Sequence, residues 1–268
     1  MSRFVRSSKY RHVFAPAPKR DKVYEGVKLT KSAWDSDYII ANQKYLAVAW
    51  AVGGGGAVGV LNVGDFGRHD TVPLFTGHKG AVLDLDFNPF NDSILATASE
   101  DCFAKVWQIP EGGLKENSDQ SVQILKGHKR KVGVCKFHPT AENVLLTAAQ
   151  DYDVKLWDIS TGDCKNTLEG HGGIIQSVDF SYDGSQAASY CKDKKLRLFD
   201  PRGSDITTTV DSHQGVKGGR VCFAGKHNKL ITVGFSRTAG REYCIWDLAN
   251  MAEPLVSYSN IDNSSGVL

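Results

Sequence analysis

The sequence repeats one set of four side chains at nearly constant spacing, and this repeat limits the folds that the chain can adopt. In each copy a histidine after glycine precedes an aspartate by 22 or 23 residues, and an aromatic residue follows six positions later. A hydroxyl residue stands four positions before each aspartate. The copies are His78, Thr97, Asp101 and Trp107; His128, Thr147, Asp151 and Trp157; and His171, Ser189, Asp193 and Phe199. Short apolar runs separated by turn residues lie between these positions, which predicts small antiparallel sheets that cannot cover both of their faces alone.

A fourth, weaker copy contains His213, Thr232 and Trp246 but has no aspartate at the matching turn. Periods of 42 to 50 residues, with Gly-His at one end and Trp-Asp at the other, resemble the WD repeat, which forms the blade of a β-propeller. We therefore predict an all-β WD-repeat propeller with about five blades and a fragment of a sixth. The predicted blades span residues 28–63, 74–109, 126–158, 168–201 and 216–248.

The chemistry of the four side chains explains their spacing. An indole N–H only donates a hydrogen bond, a hydroxyl donates and accepts, a neutral imidazole does one of each, and a carboxylate only accepts. Each set is thus predicted to form a hydrogen-bonded chain in which every buried polar group has a partner. Phe199 has no donor, so the chain in blade four is expected to lose its last member.

Composition places the chain among soluble globular proteins, with 41% hydrophobic and 23% charged residues. The longest apolar run, residues 45–52, is too short to cross a bilayer, and the N-terminus has no apolar signal region. A cytoplasmic location is predicted. The six cysteines lie 22 to 33 residues apart without a C-x-x-C pair, which indicates reduced core thiols and predicts no metal site or cofactor.

Charge is distributed unevenly along the sequence. Residues 1–31 contain nine lysines or arginines and two acidic residues, whereas the remaining 237 residues carry a net charge of −5. A basic edge on a mildly acidic body favours an acidic partner, although a solvated terminus would have the same composition. Nucleic acid is not predicted as a partner, because the basic residues lack interleaved aromatics.

Several stretches resemble one WD-repeat family, the coronins, and the resemblance extends along the whole chain. They are SKYRHVFA (8–15), YEGVKLTKSAWDS (24–36), SEDCFAKVWQIPEGGL (99–114), HPTAENVLL (138–146), CKDKKLRLFDPR (191–202), TVGFSRTAGRE (232–242) and DNSSGVL (262–268). The resemblance implies a seven-bladed propeller that binds filamentous actin. It also implies a linker and an oligomerising coiled coil that contacts the actin-nucleating complex, through regions absent from this chain.

The resemblance assigns actin contacts to the basic segment that enters blade one. Here these are Lys28, with Lys31 beside it, and Arg11 in the N-terminal opening. The family often has arginine at the first of these positions, and lysine keeps the charge but loses the planar fork that pairs with carboxylates. Two further clusters, residues 129–131 and 192–195, either join the same surface or are solvated.

The expected function is that of a non-enzymatic, coronin-type actin-filament-binding protein of the actin cytoskeleton. The alternative is a general WD-repeat scaffold for protein complexes without actin binding. The threonine, histidine and aspartate of each set are the residue types of a nucleophilic triad. Because the set repeats with a tryptophan attached, it indicates a structural lock instead of a catalytic site.

The end regions are predicted to leave the ring open. Residues 1–25 contain a strand at 10–14 that would complete a propeller, residues 26–257 supply blades one to five, and residues 258–268 begin an incomplete sixth blade. We therefore expect an open arc in which the outer faces of the first and fifth blades lack neighbours. The alternative is a tightened five-bladed ring, closed by pairing of residues 10–14 with the strand after Pro254.

Overall fold

The predicted all-β architecture is confirmed in a computed structural model that describes residues 19–262. The strands are β1 (Tyr24–Glu25), β2 (Ile39–Ala41), β3 (Tyr45–Trp50), β4 (Gly56–Asn62), β5 (Gly67–Arg68), β6 (Leu74–His78), β7 (Val82–Phe87), β8 (Ile94–Ser99), β9 (Ala104–Gln108), β10 (Gln123–Leu125), β11 (Val132–Phe137), β12 (Val144–Ala149), β13 (Val154–Asp158), β14 (Asp163–Leu168), β15 (Ile175–Phe180), β16 (Ala187–Cys191), β17 (Lys195–Phe199), β18 (Ile206–Asp211), β19 (Arg220–Phe223), β20 (Lys229–Phe235), β21 (Arg241–Asp247) and β22 (Val256–Tyr258). A 3-10 turn covers Arg20–Lys22. No helix in this described range is long and apolar enough to span a membrane.

The strands form five four-stranded antiparallel sheets and one small parallel pair. Blade one contains β2, β3, β4 and β6, and the later blades contain β7–β10, β11–β14, β15–β18 and β19–β22; β1 pairs with β5. The fourth strand of blade one, β6, lies within the 74–109 repeat that was predicted as blade two. This repeat therefore begins in the outermost strand of the preceding sheet.

The C-terminal boundary also differs from the prediction. β22 pairs with β21 and completes blade five, so the predicted start of a sixth blade at residue 258 falls inside this strand. Residues 259–262 contain no strand. The predicted strand at 10–14, Arg11 and residues 263–268 lie outside the described residues.

Four apolar cores hold neighbouring blades together. Each core joins one face of a sheet to the facing side of the next: blade one to two, two to three, three to four, and four to five. Large aromatic side chains lie at the centre of these cores, including Trp107, Trp157 and Phe199, each at most 1% exposed. Within residues 19–262, no core cluster joins blade five to blade one.

The first strands of the blades lie side by side and line the inner side of the arc. Carboxylates on these strands accept hydrogen bonds from backbone amides of the following blade. Asp84 and Asp86 of β7 accept from Cys135 and Phe137 (2.9 and 2.6 Å), and Asp179 of β15 accepts from Phe223 (2.8 Å). These bonds join the blades in addition to the apolar cores.

The outer faces of the first and fifth blades differ, and the prediction that both lack a covering neighbour is wrong for blade one. There Val48, Trp50 and Ala57 are buried beneath Val27 and Val72, which come from the segments before and after the sheet's first three strands. The chain folds back over this face, and the prediction missed this because the covering segments lie outside the repeats.

Candidate binding face

The four-residue sets of blades two and three form continuous hydrogen-bonded chains. In blade two, Trp107 Nε1 donates to Thr97 Oγ1 (2.9 Å), the hydroxyl lies 2.7 Å from His78 Nε2, and His78 Nδ1 lies 2.8 Å from Asp101. The indole can only donate, so the Thr97 hydroxyl donates its own hydrogen bond to His78 Nε2. The N–H at Nδ1 then donates to the Asp101 carboxylate.

Blade three repeats this geometry, with 2.7 Å from Trp157 to Thr147, 2.8 Å from Thr147 to His128 and 3.0 Å from His128 to Asp151. Burial alone would raise the pKa of Asp151. Hydrogen bonds from His128 and the Lys129 amide outweigh this effect and lower the pKa to about 2. The carboxylate is thus kept ionised to accept both donors.

In blade four the aspartate has a different partner from the one that the spacing predicts. Asp193 accepts hydrogen bonds from Arg197 Nη1 and Nη2 (3.1 and 2.5 Å), and His171 bonds only to Ser189 (2.8 Å) among side chains of the described residues. Burial and then the Arg197 guanidinium lower the pKa of His171 to about 4, against the opposing effects of Asp193 and the Tyr152 backbone. An arginine inside the apolar strand KLRLF was the available signal for this pair.

In blade five, a glutamate replaces the missing aspartate. His213 Nδ1 lies 2.9 Å from Glu242 Oε1, His213 Nε2 lies 2.9 Å from Thr232 Oγ1, and Trp246 donates to the same hydroxyl (2.9 Å). Glu242 lies on β21 instead of in the turn, so a search at the turn position could not find it. Its longer side chain spans the additional distance.

These locks place two groups of loops at the same end of the molecule. In an antiparallel four-stranded sheet, the loop between strands two and three and the connection to the next blade lie at one end. The histidines lie in these connections or, for His78, at the end of the strand that enters one, and the aspartates lie in the loops, in agreement with this topology.

The loops and connections at this end, which we call the basic face, contain nine lysines and arginines against six acidic residues. The basic residues are Lys79, Lys126, Lys129, Arg130, Lys131, Lys192, Lys194, Lys217 and Arg237, and the acidic ones are Glu100, Asp101, Asp151, Asp153, Glu169 and Asp193. Arg197 offsets the charge of Asp193, whereas Asp101 and Asp151 stay ionised, so the loops of this face carry a net positive charge.

The opposite end has the reverse charge. Its loops carry ten acidic residues (Asp65, Asp70, Asp92, Glu111, Glu116, Glu142, Asp183, Asp200, Asp205 and Glu253) and five basic ones (Lys44, Arg68, Lys115, Arg202 and Lys226). The small net charge of the chain is therefore the sum of two oppositely charged ends. Counting charged residues along the sequence could not detect this polarity, because the sequence does not show which loops lie at the same end.

The two predicted binding lysines reach the basic face through a backbone clamp. The amide of Ala51 donates to the Lys28 carbonyl (2.8 Å), and the Thr30 amide donates to the Ala49 carbonyl (2.9 Å). The clamp fixes residues 28–30 beside the loop that follows β3, which lies at this end. Both Lys28 and Lys31 are exposed.

The other predicted clusters differ in how freely they present their charge. Lys129 and Arg130 are exposed on the connection into blade three, whereas Lys131 Nζ lies 2.6 Å from Glu100. Lys192 and Lys194 lie in the tight loop of blade four, but Lys195 is in β17 and lies 3.5 Å from Asp211. Lys129 and Arg130 are thus exposed and form no ion pair within residues 19–262.

A short segment that sequence reasoning missed, residues 32–38, crosses the inner side of the arc; we call it the strap. Trp34 Nε1 donates to the Gly133 carbonyl of blade three (2.8 Å), and Ser36 Oγ donates to Asp84 of blade two (2.8 Å). Asp37 lies 3.7 Å from Arg220 of blade five. The strap therefore contacts three blades before the chain enters β2.

Comparison with known proteins identifies related sequences and a related structure. The family described as a domain of unknown function, DUF1899, matches residues 3–68, and the WD domain, G-beta repeat, matches residues 70–108, 119–158 and 162–200. Coronin-A of Dictyostelium discoideum is 54% identical over the whole chain and 60% of its own length.

Two fungal relatives match almost the whole chain as well. The coronin-like proteins of Saccharomyces cerevisiae and Schizosaccharomyces pombe are 42% and 39% identical over 99% of this chain, and over 42% and 45% of their own lengths. The crystal structure of the WD40 domain from Toxoplasma gondii coronin superposes with a TM-score of 0.86 and 30% identity, covering 91% of this chain and 63% of that one. The chain thus spans about half the length of these curated relatives.

Proposed function

Because the chain belongs to the coronin family, we propose that it is a non-enzymatic protein that binds actin filaments through its basic face. The observation that carries this proposal is the charge polarity of the molecule: the exposed Lys28 and Lys31 lie at the end where basic loops collect. A surface of this kind fits an acidic partner. Cytoplasmic localisation on the actin cytoskeleton follows from the same proposal.

A binding function fits the chemistry of the repeated histidine, hydroxyl and aspartate sets better than catalysis does. Each histidine is at most 8% exposed, and each hydroxyl is already engaged by a buried indole or imidazole. A nucleophile needs access to substrate, which these hydroxyls do not have. The sets act as structural locks that hold the loops of the basic face in place.

Filament co-sedimentation tests the proposal. Replacing both Lys28 and Lys31 with aspartate should abolish pelleting with filaments at low salt, because it reverses the charge of the clamped segment. Wild-type pelleting should weaken as salt rises, because exposed charges are screened over about 8–10 Å at physiological ionic strength.

The matched control reverses two lysines at the opposite end, with Lys115→Asp and Lys226→Asp, and should pellet like the wild type. Unchanged pelleting of a folded Lys28→Asp, Lys31→Asp variant would reject the proposed site. Binding of the chain to unrelated peptides without pelleting would instead favour a general scaffold.

A further inference from the structure

The seat of Trp34 on blade three depends on a glycine in a β-bulge. The register of β11 against β12 shifts between Val132 and Val134, which leaves the Gly133 carbonyl free to accept the indole N–H. The first strands of blades two and four have the same irregularity, but there the bulged residues are Leu83 and Gln176. A Cβ on Gly133 would overlap the ring of Trp34, so among these three blades only blade three has room for the indole.

This seat lies beside the basic connection of blade three. Gly133 follows Lys131 by two residues, and Trp34 follows Lys31 by three, which corresponds to extended lengths of about 7 Å and 11 Å. The strap thus brings the clamped N-terminal segment to the loop that presents Lys129 and Arg130. These two groups of charges are about a hundred residues apart in sequence.

We infer that the strap is a positioning element that fixes Lys28 and Lys31 relative to Lys129 and Arg130, so that the two groups form one composite contact for the acidic surface of a filament. This inference rests on the proposed actin binding and adds blade three to the site. Isolated exposed charge pairs contribute little, so several charges must be held in one arrangement to act together. A strap anchored on blades two, three and five supplies that order before binding occurs.

Gly133→Ala tests the strap while leaving every lysine and Trp34 in the sequence. The φ angle of Gly133 lies outside the left-handed region, so alanine suits the backbone, and the three atoms nearest to the new methyl group all belong to the indole ring. We expect the affinity for filaments, measured by pelleting, to fall about fivefold. This corresponds to about 1 kcal/mol, the cost of ordering the displaced strap when the chain binds. Gly203→Ala is the matched control, because its nearest neighbouring atom would lie 3.7 Å away.

Trp34→Phe is a second variant that keeps an aromatic ring but removes the hydrogen-bond donor, so the test does not depend on the fold of the alanine variant. The decisive readout is coupling between lysines. In the wild-type background, the losses from Lys31→Ala and Lys129→Ala should be non-additive, and in the Gly133→Ala background they should add. A purely structural role of the strap would change thermal stability but not this coupling.

Two results would overturn the inference, and they differ in what they mean for the proposed function. In the first, Gly133→Ala and Trp34→Phe pellet like the wild type and keep its coupling between lysines, while the Lys28→Asp, Lys31→Asp variant still fails to bind. This result would reject the positioning role of the strap and keep the proposed actin site. Normal pelleting of the double lysine variant itself would reject both.

Discussion

At the scale of single residues, His128 depends on one carboxylate for its Nδ1 proton. Replacing Asp151 with alanine removes that acceptor while the imidazole stays buried. We expect a loss on the order of 1–3 kcal/mol in the free energy of unfolding, the cost of a buried polar group without a partner. Urea titration measures it, and Asp205→Ala in an exposed loop is the control. A loss equal to that of the control would mean that the lock does not stabilise the blade.

Asp193→Ala should lower the free energy of unfolding more than Asp151→Ala does, which is the reverse of the order that the sequence suggests. The absence of an indole at Phe199 implies that the chain in blade four is already broken and that its aspartate matters less. In the structure, however, Asp193 pairs with Arg197, whose side chain is only 5% exposed. Leaving a buried guanidinium without its counter-ion costs about 3–5 kcal/mol.

The same titration compares the two variants, and the double change Asp193→Ala with Arg197→Met should recover most of the stability, because it removes both members of the buried pair. A smaller loss for Asp193→Ala than for Asp151→Ala would restore the simpler order based on the missing indole.

The residue-level pattern could be predicted wherever each member of a set kept both its type and its position. This holds for blades two and three, in which Trp107 and Trp157 occupy the expected places. It fails for Glu242, because a longer side chain on a strand reaches the same imidazole. It also fails for Arg197, because the spacing gives no information on which of two donors a carboxylate will choose.

At the scale of strands, the carboxylates between blades create a pH-dependent junction. Burial raises the pKa of Asp86 to about 7, although Lys136 and the Phe137 amide act in the opposite direction. The folded pKa lies above the ordinary value of 3.8, so the contribution of this group to stability is complete below about pH 4 and is lost as pH rises through about 7. The adjacent Asp84, whose pKa is raised to about 6 chiefly by burial, changes in the same direction.

Asp86→Asn should therefore flatten the decline in stability between pH 4 and pH 7, because the amide oxygen still accepts from Phe137 and no longer titrates. Thermal unfolding across this range measures the effect. Lys136 faces both Asp86 and Asp179 and should make the remaining slope shallow. If the variant and the wild type lost stability in parallel, another group would control the junction.

The strands themselves could be predicted from the alternation of apolar residues, but their partners could not. β6 and β22 belong to the sheets that precede the blades predicted to contain or follow them, because strands this short do not show in the sequence which sheet they join. The strap had no signal at all, since its order comes from Gly133, Asp84 and Arg220, which lie on three other blades.

At the scale of the whole molecule, blade five presents an apolar face that the other blades bury. Its Ile231, Val233, Tyr243 and Ile245 occupy the positions of Ala188, Tyr190, Leu196 and Leu198 on blade four, where all four are at most 3% exposed. On blade five the equivalent residues are partly exposed, and the neighbouring Val256 and Tyr258 of β22 are 41% and 60% exposed. Among residues 19–262, the prediction of a bare end face therefore stands for this blade.

Residues 1–268, expressed as such, should self-associate or bind a hydrophobic dye through this face, because contiguous exposed apolar surface promotes association. The pair Ile231→Lys and Ile245→Glu, which lie opposite each other on β20 and β21, should reduce both effects without lowering the melting temperature. The matched pair on blade four, Ala188→Lys and Leu198→Glu, should unfold the chain, since it buries charge in an inter-blade core. Analytical ultracentrifugation and dye fluorescence measure the outcome. A monodisperse, dye-negative wild-type chain would show that this face is covered in solution, as in the alternative of a re-closed ring. In that case the two substitutions on blade five should be as destabilising as those on blade four.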